Sequence, residues 1–441
     1  MYCMNQKFAK DFTWGVATSA YQIEGAANEG GRGPSIWDTF SHTPGKTVNG
    51  ETGDVACDHY HRYQEDVDLI AGLGVDAYRF SIAWPRVQPE GKGAWNEAGF
   101  DFYSRLIDAL LVKGLQPYVT LYHWDLPQAL EDEGGWRNRD TCHRFADYAA
   151  EFMRRYGDSV KTISTHNEPW CTATLGHATG QFAPGYQDEA MAYQVSHHLL
   201  LSHGLALQSM RALNSETPVG IVLNHTPTYP ANPESEADRQ LARLDDGTNI
   251  RWYMDPIFRG AYPQDVLAYL GDKAPKVADG DMAIIRQPLD FLGVNYYTRG
   301  YFSQANPQIP APAAMGLTDM GWEVYPQGLA QHLVRITRDY LPPPIYITEN
   351  GAAFPDRMEK GEVQDPARIH YLETHLQALR QAMELGADIR GYFYWSLADN
   401  YEWNWGYSKR FGLTYVDYAT QQRTLKASGH WYRDFIARQR A

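Results

Sequence analysis

The feature that most constrains this chain is an alternation kept up over nearly its whole length. Short runs rich in β-branched and aromatic residues are each followed by longer stretches with apolar residues at helical spacing. The short runs fall at 12–18, 75–84, 116–124, 160–167, 218–226, 290–298, 344–350 and 389–397. Most begin as near-continuous apolar segments, the pattern of parallel strands covered on both faces. Helical patterns lie between them at 58–72, 97–113, 140–156, 188–213, 326–340 and 366–385; in the second, Phe102, Leu106, Ala109 and Leu110 share one face. Eight strands with intervening helices predict an α/β fold, a single (β/α)8 TIM barrel with long βα rim loops. The rival is an open doubly wound sheet, which announces a nucleotide with a Gly-rich turn after its first strand. Here that turn reads ATSAYQIEG and carries no G-x-G-x-x-G.

At about 150 residues per domain, 441 residues would suggest roughly three domains, but barrels routinely exceed that figure. No linker or internal repeat interrupts the alternation. The richest breaker stretch, Asn306 to Gly316, reads as a rim loop between the sixth and seventh strands, and Asp38 to Asp54 as a second, polar loop. Residues 1–441 are therefore expected to form one catalytic barrel domain.

Thirty-nine Lys and Arg against 53 Asp and Glu leave a net charge of −14, and no Lys/Arg cluster forms a basic groove, so no nucleic-acid partner is expected. Met1 to Asp11 has neither a basic start nor an apolar stretch, and no run approaches the roughly 18 apolar residues of a membrane span. Cys3, Cys57, Cys142 and Cys171 are widely spaced, without a C-x-x-C pair. A soluble protein of the reducing cytoplasm is expected, with no membrane partner; the sequence does not fix an oligomeric state.

Three motifs fail on their chemistry. Pro44-Gly45-Lys46-Thr47 has the G-K-T of a phosphate loop, but Phe40 stands where its first Gly is needed and no strand precedes it. His59 and His61, or His197, His198 and His203, lack H-E-x-x-H spacing, so no metal is expected. The sequon Asn224-His225-Thr226 has no meaning in a cytoplasmic protein.

The chemistry lies at the C-terminal ends of the strands, the face on which barrel enzymes build their sites. The fourth strand ends Thr165-His166-Asn167-Glu168-Pro169, where proline stops the strand, and the seventh ends Thr348-Glu349-Asn350-Gly351, where glycine allows a turn. A glutamate at the end of a buried strand needs a partner or a task. Ion pairing to a residue such as Arg79, near the end of the second strand, would serve as the structural alternative. Two such acids on a rim rich in Trp, Tyr, Asn and His instead suit glycosidic cleavage: one carboxyl protonates the leaving oxygen and the other meets the oxocarbenium-like centre. Thirteen Trp, 30 Tyr and 16 Phe supply faces for core packing and for stacking on sugar rings.

At these residues the chain closely resembles glycoside hydrolase family 1, the β-glucosidases and their relatives. Phe12-Thr13-Trp14-Gly15-Val16-Ala17-Thr18-Ser19-Ala20-Tyr21-Gln22-Ile23-Glu24-Gly25 is similar to the family's opening signature, and Ile347-Thr348-Glu349-Asn350-Gly351 to its nucleophile signature. His123-Trp124-Asp125-Leu126-Pro127, Asn167-Glu168-Pro169, Asn295-Tyr296-Tyr297 and Ser396-Leu397-Ala398-Asp399-Asn400-Tyr401-Glu402-Trp403 match as well. Six separated matches in one order, spanning Phe12 to beyond Lys426, make coincidence negligible.

The resemblance implies that Glu349 is the nucleophile and Glu168 the general acid that becomes the base, with configuration retained and the carboxyls about 5 to 5.5 Å apart. Tyr297 would hydrogen-bond Glu349, and Arg79 would hold its charge while Glu168 starts protonated. Asn167 would bind the sugar 2-hydroxyl. Gln22, His123, Glu402 and Trp403 would take the outer hydroxyls of the glycone, with Asn295 also in the binding set. Trp395 would floor the site, Trp124 and Phe411 wall it, and Trp322 line the aglycone side, whereas Tyr296 would pack. A carboxylate at Glu402 would repel phosphate, which favours unphosphorylated sugars over a 6-phospho-β-glucosidase reading. His166 and Ala398 depart from the family pattern, and His166 is expected to point away from Glu168 if the strand stays regular. Expected, then, is a retaining β-glucosidase acting on small-molecule β-glucosides and cello-oligosaccharides, with side activity on β-fucosides and β-galactosides and no cofactor. The rival from another class is a catalytically silent carbohydrate-binding protein on the same barrel.

Overall fold

The computed structural model describes residues 7–214 and 216–441; Cys3 and the chain before Lys7 lie outside the described residues. Eight parallel strands close a barrel: β1 (Thr13–Ala17), β2 (Ala77–Ser81), β3 (Gln116–Tyr122), β4 (Thr162–Asn167), β5 (Val219–Asn224), β6 (Phe291–Asn295), β7 (Ile345–Asn350) and β8 (Ile389–Trp395). Each pairs with its neighbours in sequence, and β8 returns to β1 in the register Thr13 to Gly391 through Ala17 to Trp395. Closure leaves the barrel without an exposed edge. Each expected strand contains one of these eight, which is the (β/α)8 architecture.

All six expected helices form, and their ends follow local chemistry. Pro326 and Pro366 each open a helix at a position where no backbone N–H is needed. Asp188 caps the 25-residue helix Glu189–Leu213 by accepting from the Met191 N–H.

Two stretches differ from expectation. Asp38–Asp54 is not wholly loop, because Ile36–His42 is helical, opened by a reciprocal capping box between Ser35 and Asp38. Between β5 and β6 the chain forms helices Glu236–Asp246 and Trp252–Arg259, joined through the π-helical turn Gly247–Arg251, and then Gln264–Leu270 after a break at Gly260 and Pro263. The helix Ala427–Arg440 follows β8, while 306–316 carries only turns.

The main core lies between barrel and helices, and it takes most of the aromatics; Trp37, Trp84, Trp136 and Trp252 are among the largest fully buried side chains. The barrel interior is filled by Tyr118, Tyr346 and Phe393, with ring centroids 4.9 Å apart for Tyr118 and Phe393. Gly15 on β1 makes room for this layer, since a Cβ there would meet the Phe393 ring at 2.3 Å. Truncating a buried Phe of this kind costs about 3–5 kcal/mol. The plug closes the barrel below its C-terminal mouth, where the strand ends meet.

Candidate active site

At that mouth, β3 through β8 deliver side chains to one cavity of about 430 Å³. Glu168, Glu349, Tyr297, His123 and Glu402 line it, and Trp124, Trp322, Trp395, Trp403 and Phe411 form its walls. The other expected residues, Arg79, Gln22, Asn167 and Asn295, lie just beneath, each at most 2% exposed and bonded to the lining. A larger void of about 660 Å³ opens among residues at the N-terminal ends of the strands, such as Thr13, Gln116 and Thr162. Two of its three carboxylates, Asp76 and Asp290, are engaged by the Trp14 and Val219 backbone N–H groups and by Arg440 and Arg211.

The two glutamates sit in opposed surroundings. Both oxygens of Glu349 accept from strong donors: Oε1 from Arg79 Nη1 at 2.7 Å and Oε2 from the Tyr297 hydroxyl at 2.6 Å. The ion pair that offered a structural alternative therefore exists, but inside the cavity wall. Arg79 Nη2 also donates to Asn167 Oδ1 at 2.7 Å, which ties the end of β4 to β2 and β7.

Glu168 has only neutral donors, Asn295 Nδ2 at 2.8 Å and the Cys171 thiol at 3.0 Å. Burial, with the charge of Glu349 as the second cause, pushes its carboxyl up to about 7. The backbone turns before the proline, since Glu168 itself takes φ = 48°, in the left-handed region. A non-Gly residue held there is uncommon and costs of order 1–3 kcal/mol unless its surroundings fix it. Here the Glu168 N–H donates to the Val222 carbonyl and its carbonyl accepts from the Cys171 N–H, both at 2.9 Å. His166 points away, packed between Tyr122, Trp136 and Phe145, with Nε2 2.8 Å from Ser202 Oγ. Burial keeps its ring far below the ordinary histidine range.

Glycine at position 351 has a different reason from the expected turn. Its φ is not positive, and a Cβ there would lie 1.8 Å from the Trp395 carbonyl oxygen. Close approach of β7 and β8, not conformational freedom, requires it.

Asn295 is placed below the cavity rather than in it. Its Nδ2 donates to Asn167 Oδ1 at 3.0 Å and to Glu168 Oε1, while its Oδ1 accepts from Thr348 Oγ at 2.6 Å. Every amide position is used within the protein, so it holds other side chains. Gln22 is engaged similarly, donating to Asn400 Oδ1, the Tyr401 carbonyl and, at 3.4 Å, Glu402 Oε2. Tyr296 packs as expected, fully buried with its hydroxyl on the Tyr325 carbonyl.

Burial and the charges of Glu349 and Glu168 push the Glu402 carboxyl up to about 8, so at neutral pH it is largely protonated in the free site. Repulsion of phosphate by Glu402 alone is accordingly weaker than a carboxylate there would imply. Among the described residues, however, no Lys or Arg lines the cavity to receive a phosphate. His123 is also held far below the ordinary histidine range by burial and then by Arg79, and its ring lies nearly parallel to Trp395 and Trp403 at 5.8 and 5.9 Å.

Sequence reasoning missed Trp170, Cys171, Leu175, Phe182 and Trp405, which also line the cavity. Trp170 and Cys171 could have been found from their position directly after Glu168-Pro169, and Trp405 from its spacing to Trp403; nothing local marks Phe182. The histidines set aside as ligands have structural partners: His59 on Asp66, His197 on Asp281 and Tyr262, and His203 on Thr165. Among the described residues, no group of three or more His, Cys, Asp or Glu is placed to hold a metal ion, and no helix is long and apolar enough to cross a membrane.

An enzyme that cleaves glycosidic bonds is the class to which a closed barrel with two unlike carboxyls in an aromatic-walled mouth points. The chain belongs to glycosyl hydrolase family 1, whose model matches residues 4–441. It is 46% identical over 442 residues to beta-glucosidase A of Acetivibrio thermocellus, covering 97% of this chain and 98% of that one. It is 46% identical to a bifunctional beta-D-glucosidase/beta-D-fucosidase of Bifidobacterium breve, covering 98% and 99%. Among solved structures, the family 1 β-glucosidase of Thermotoga maritima in complex with isofagomine lactam superimposes with a TM-score of 0.94 at 46% identity, covering 99% of both chains.

Proposed function

We propose that this chain is a retaining β-glucosidase that removes terminal non-reducing β-D-glucosyl residues from small β-glucosides and cello-oligosaccharides. The observation that carries the reading is the asymmetry of the carboxyl pair: Glu349 is held by Arg79 and Tyr297, and Glu168 is pushed up to about 7 among neutral donors. In this reading Glu349 attacks the anomeric carbon as the glycosidic bond breaks, and Glu168 gives its proton to the departing oxygen. Water then attacks the glycosyl-enzyme, losing its proton to Glu168, and the sugar leaves with its β-configuration restored.

Trp395 floors the glycone, His123, Glu402 and Trp403 meet its outer hydroxyls, and Asn167 meets the 2-hydroxyl. Gln22 supports Glu402 from below. Asn295 positions Glu168 rather than touching sugar. Trp322 lies 5.5 Å from the Tyr297 ring and walls the aglycone side. The reaction needs no metal or organic cofactor, and the whole chain serves as one catalytic barrel in the cytoplasm, completing cellulose breakdown on soluble fragments. Side activity on β-fucosides and β-galactosides fits the name of the Bifidobacterium relative in its first part and the adaptable Glu402 in both. A 6-phospho-sugar is disfavoured by the lack of a lining cation among the described residues. The test is Glu349→Gly: turnover of aryl β-glucosides is lost while the fold, followed by circular dichroism, is kept. A folded variant with more than a few per cent of the original rate would overturn the assignment.

A further inference from the structure

Glu168 offers its two oxygens to donors of different kinds. Oε1 faces Asn295 Nδ2, and the orientation of that amide is fixed by its neighbours. Asn167 Oδ1 accepts from Arg79, a group that can only donate, so the Asn295 atom 3.0 Å from the same oxygen must be its nitrogen. That nitrogen reaches Glu168 Oε1 at 2.8 Å, and Oε1 therefore meets an N–H in every protonation state. A protonated Oε1 would be the poorer acceptor for that N–H, since the carbonyl oxygen of a carboxylic acid accepts better than its hydroxyl oxygen. The acid proton belongs on Oε2.

Oε2 is the oxygen 3.0 Å from the sulfur of Cys171. Cys171 begins the π-helical turn Cys171–Ala178, is bonded through its own N–H to the Glu168 carbonyl, lines the cavity, and is buried. Burial and the adjacent Glu168 raise its thiol far above the usual range, so it stays S–H. A thiol is a weak donor and a weak acceptor. It can donate to a carboxylate and rotate aside when Oε2 carries the proton, whereas an N–H cannot. A hydroxyl in its place would grip the carboxylate more strongly.

We propose that Cys171 is a positioning residue for the acid and base: its thiol directs the transferable proton to Glu168 Oε2 and, by being a weak donor, leaves that oxygen ready both to release a proton and to regain one. The proposal rests on the reading of Glu168 as the acid. Of the three described cysteines, Cys57 and Cys142 donate to backbone carbonyls, and Cys171 alone contacts a carboxylate.

The test is the pH dependence of kcat/KM on an aryl β-glucoside with a poor leaving group, whose basic limb reports the acid of the free enzyme. Cys171→Ser, a stronger donor, is expected to move the basic limb down by about half a unit, and Cys171→Ala, with no donor, to move it up by about a few tenths. Cys171→Thr, which refills the volume of the sulfur, repeats the serine arm if serine perturbs the fold. Opposite shifts in variants of unchanged melting temperature support the proposal. Shifts of the same sign, or none beyond about 0.1 unit, overturn it. Glu168→Gln separates the two readings. If its residual activity keeps the basic limb, Glu168 is not the acid; if the limb disappears there but the Cys171 variants do not move it, only the role of Cys171 falls.

Discussion

Replacing Glu349 with Gln removes a negative charge and keeps the shape of the side chain, which makes it a direct probe of how the two carboxyls set each other's chemistry. Glu168 rises from an ordinary 4.5 to about 7, with burial the larger cause and the Glu349 charge the second. Two unit charges at the roughly 5 to 5.5 Å of a retaining pair repel, at an effective dielectric near 20, by roughly 3 kcal/mol, or a little over two pKa units, which sets a ceiling. Taking about half of that ceiling, to allow for relaxation of the site around the new amide, gives about one unit, or ~1.4 kcal/mol. Glu349→Gln is thus expected to lower the Glu168 pKa by about one unit. Arg79, freed of its partner, acts in the same direction. The assay is carbon-13 NMR of protein labelled at the glutamate carboxyl carbon, with the Glu168 resonance assigned by its loss in Glu168→Gln. A Glu168 midpoint that stays or rises in Glu349→Gln would refute the coupling. In the proposed mechanism the same loss of charge accompanies glycosylation of Glu349, so the drop would also explain how Glu168 could be an acid in the first step and a base in the second.

Tyr297→Phe deletes the 2.6 Å bond to Glu349 Oε2; a hydrogen bond to a charged group is worth about 1.5–3 kcal/mol, so kcat/KM should fall roughly 10- to 150-fold with the melting temperature little changed, and a loss under about threefold would remove Tyr297 from the machinery. Asp125, next to Trp124, is 1% exposed with neither carboxyl oxygen bonded among the described residues, and burial followed by Glu24 pushes it from an ordinary 3.8 up to about 8. Between those values the native state binds the extra proton, so this group makes stability fall by up to about 1.4 kcal/mol per unit as pH rises. Asp125→Asn should therefore flatten the decline in melting temperature between about pH 5 and 8, and an unchanged slope would show that Asp125 does not titrate there.

The barrel was legible because most of the parallel strands begin as near-continuous apolar runs and the long helices between them carry apolar residues at helical spacing, patterns that a linear chain displays directly. The helices between β5 and β6 were not, since the π-helical turn Gly247–Arg251 shifts the 3.6-residue period and Gly260 and Pro263 then end it. Glu168 and Glu349 stood out because a carboxyl at a buried strand end needs a reason. The reason for Gly351 did not stand out: the Trp395 carbonyl that excludes a Cβ comes from another strand.

By itself the sequence determined the strand order, the face on which the site lies and the two glutamates that mark it, all of which depend on residue type and local spacing. The tertiary structure alone decided which oxygen meets which donor. It set Asn295 against Glu168 and Gln22 beneath Glu402, and brought Phe182 and Cys171 to the wall. It also separated two chemically identical carboxyls, giving one a guanidinium and a phenol and the other an amide and a thiol. Burial, charge and hydrogen bonding act over a few ångströms in space, and strands distant in the chain meet at that range only when the barrel closes.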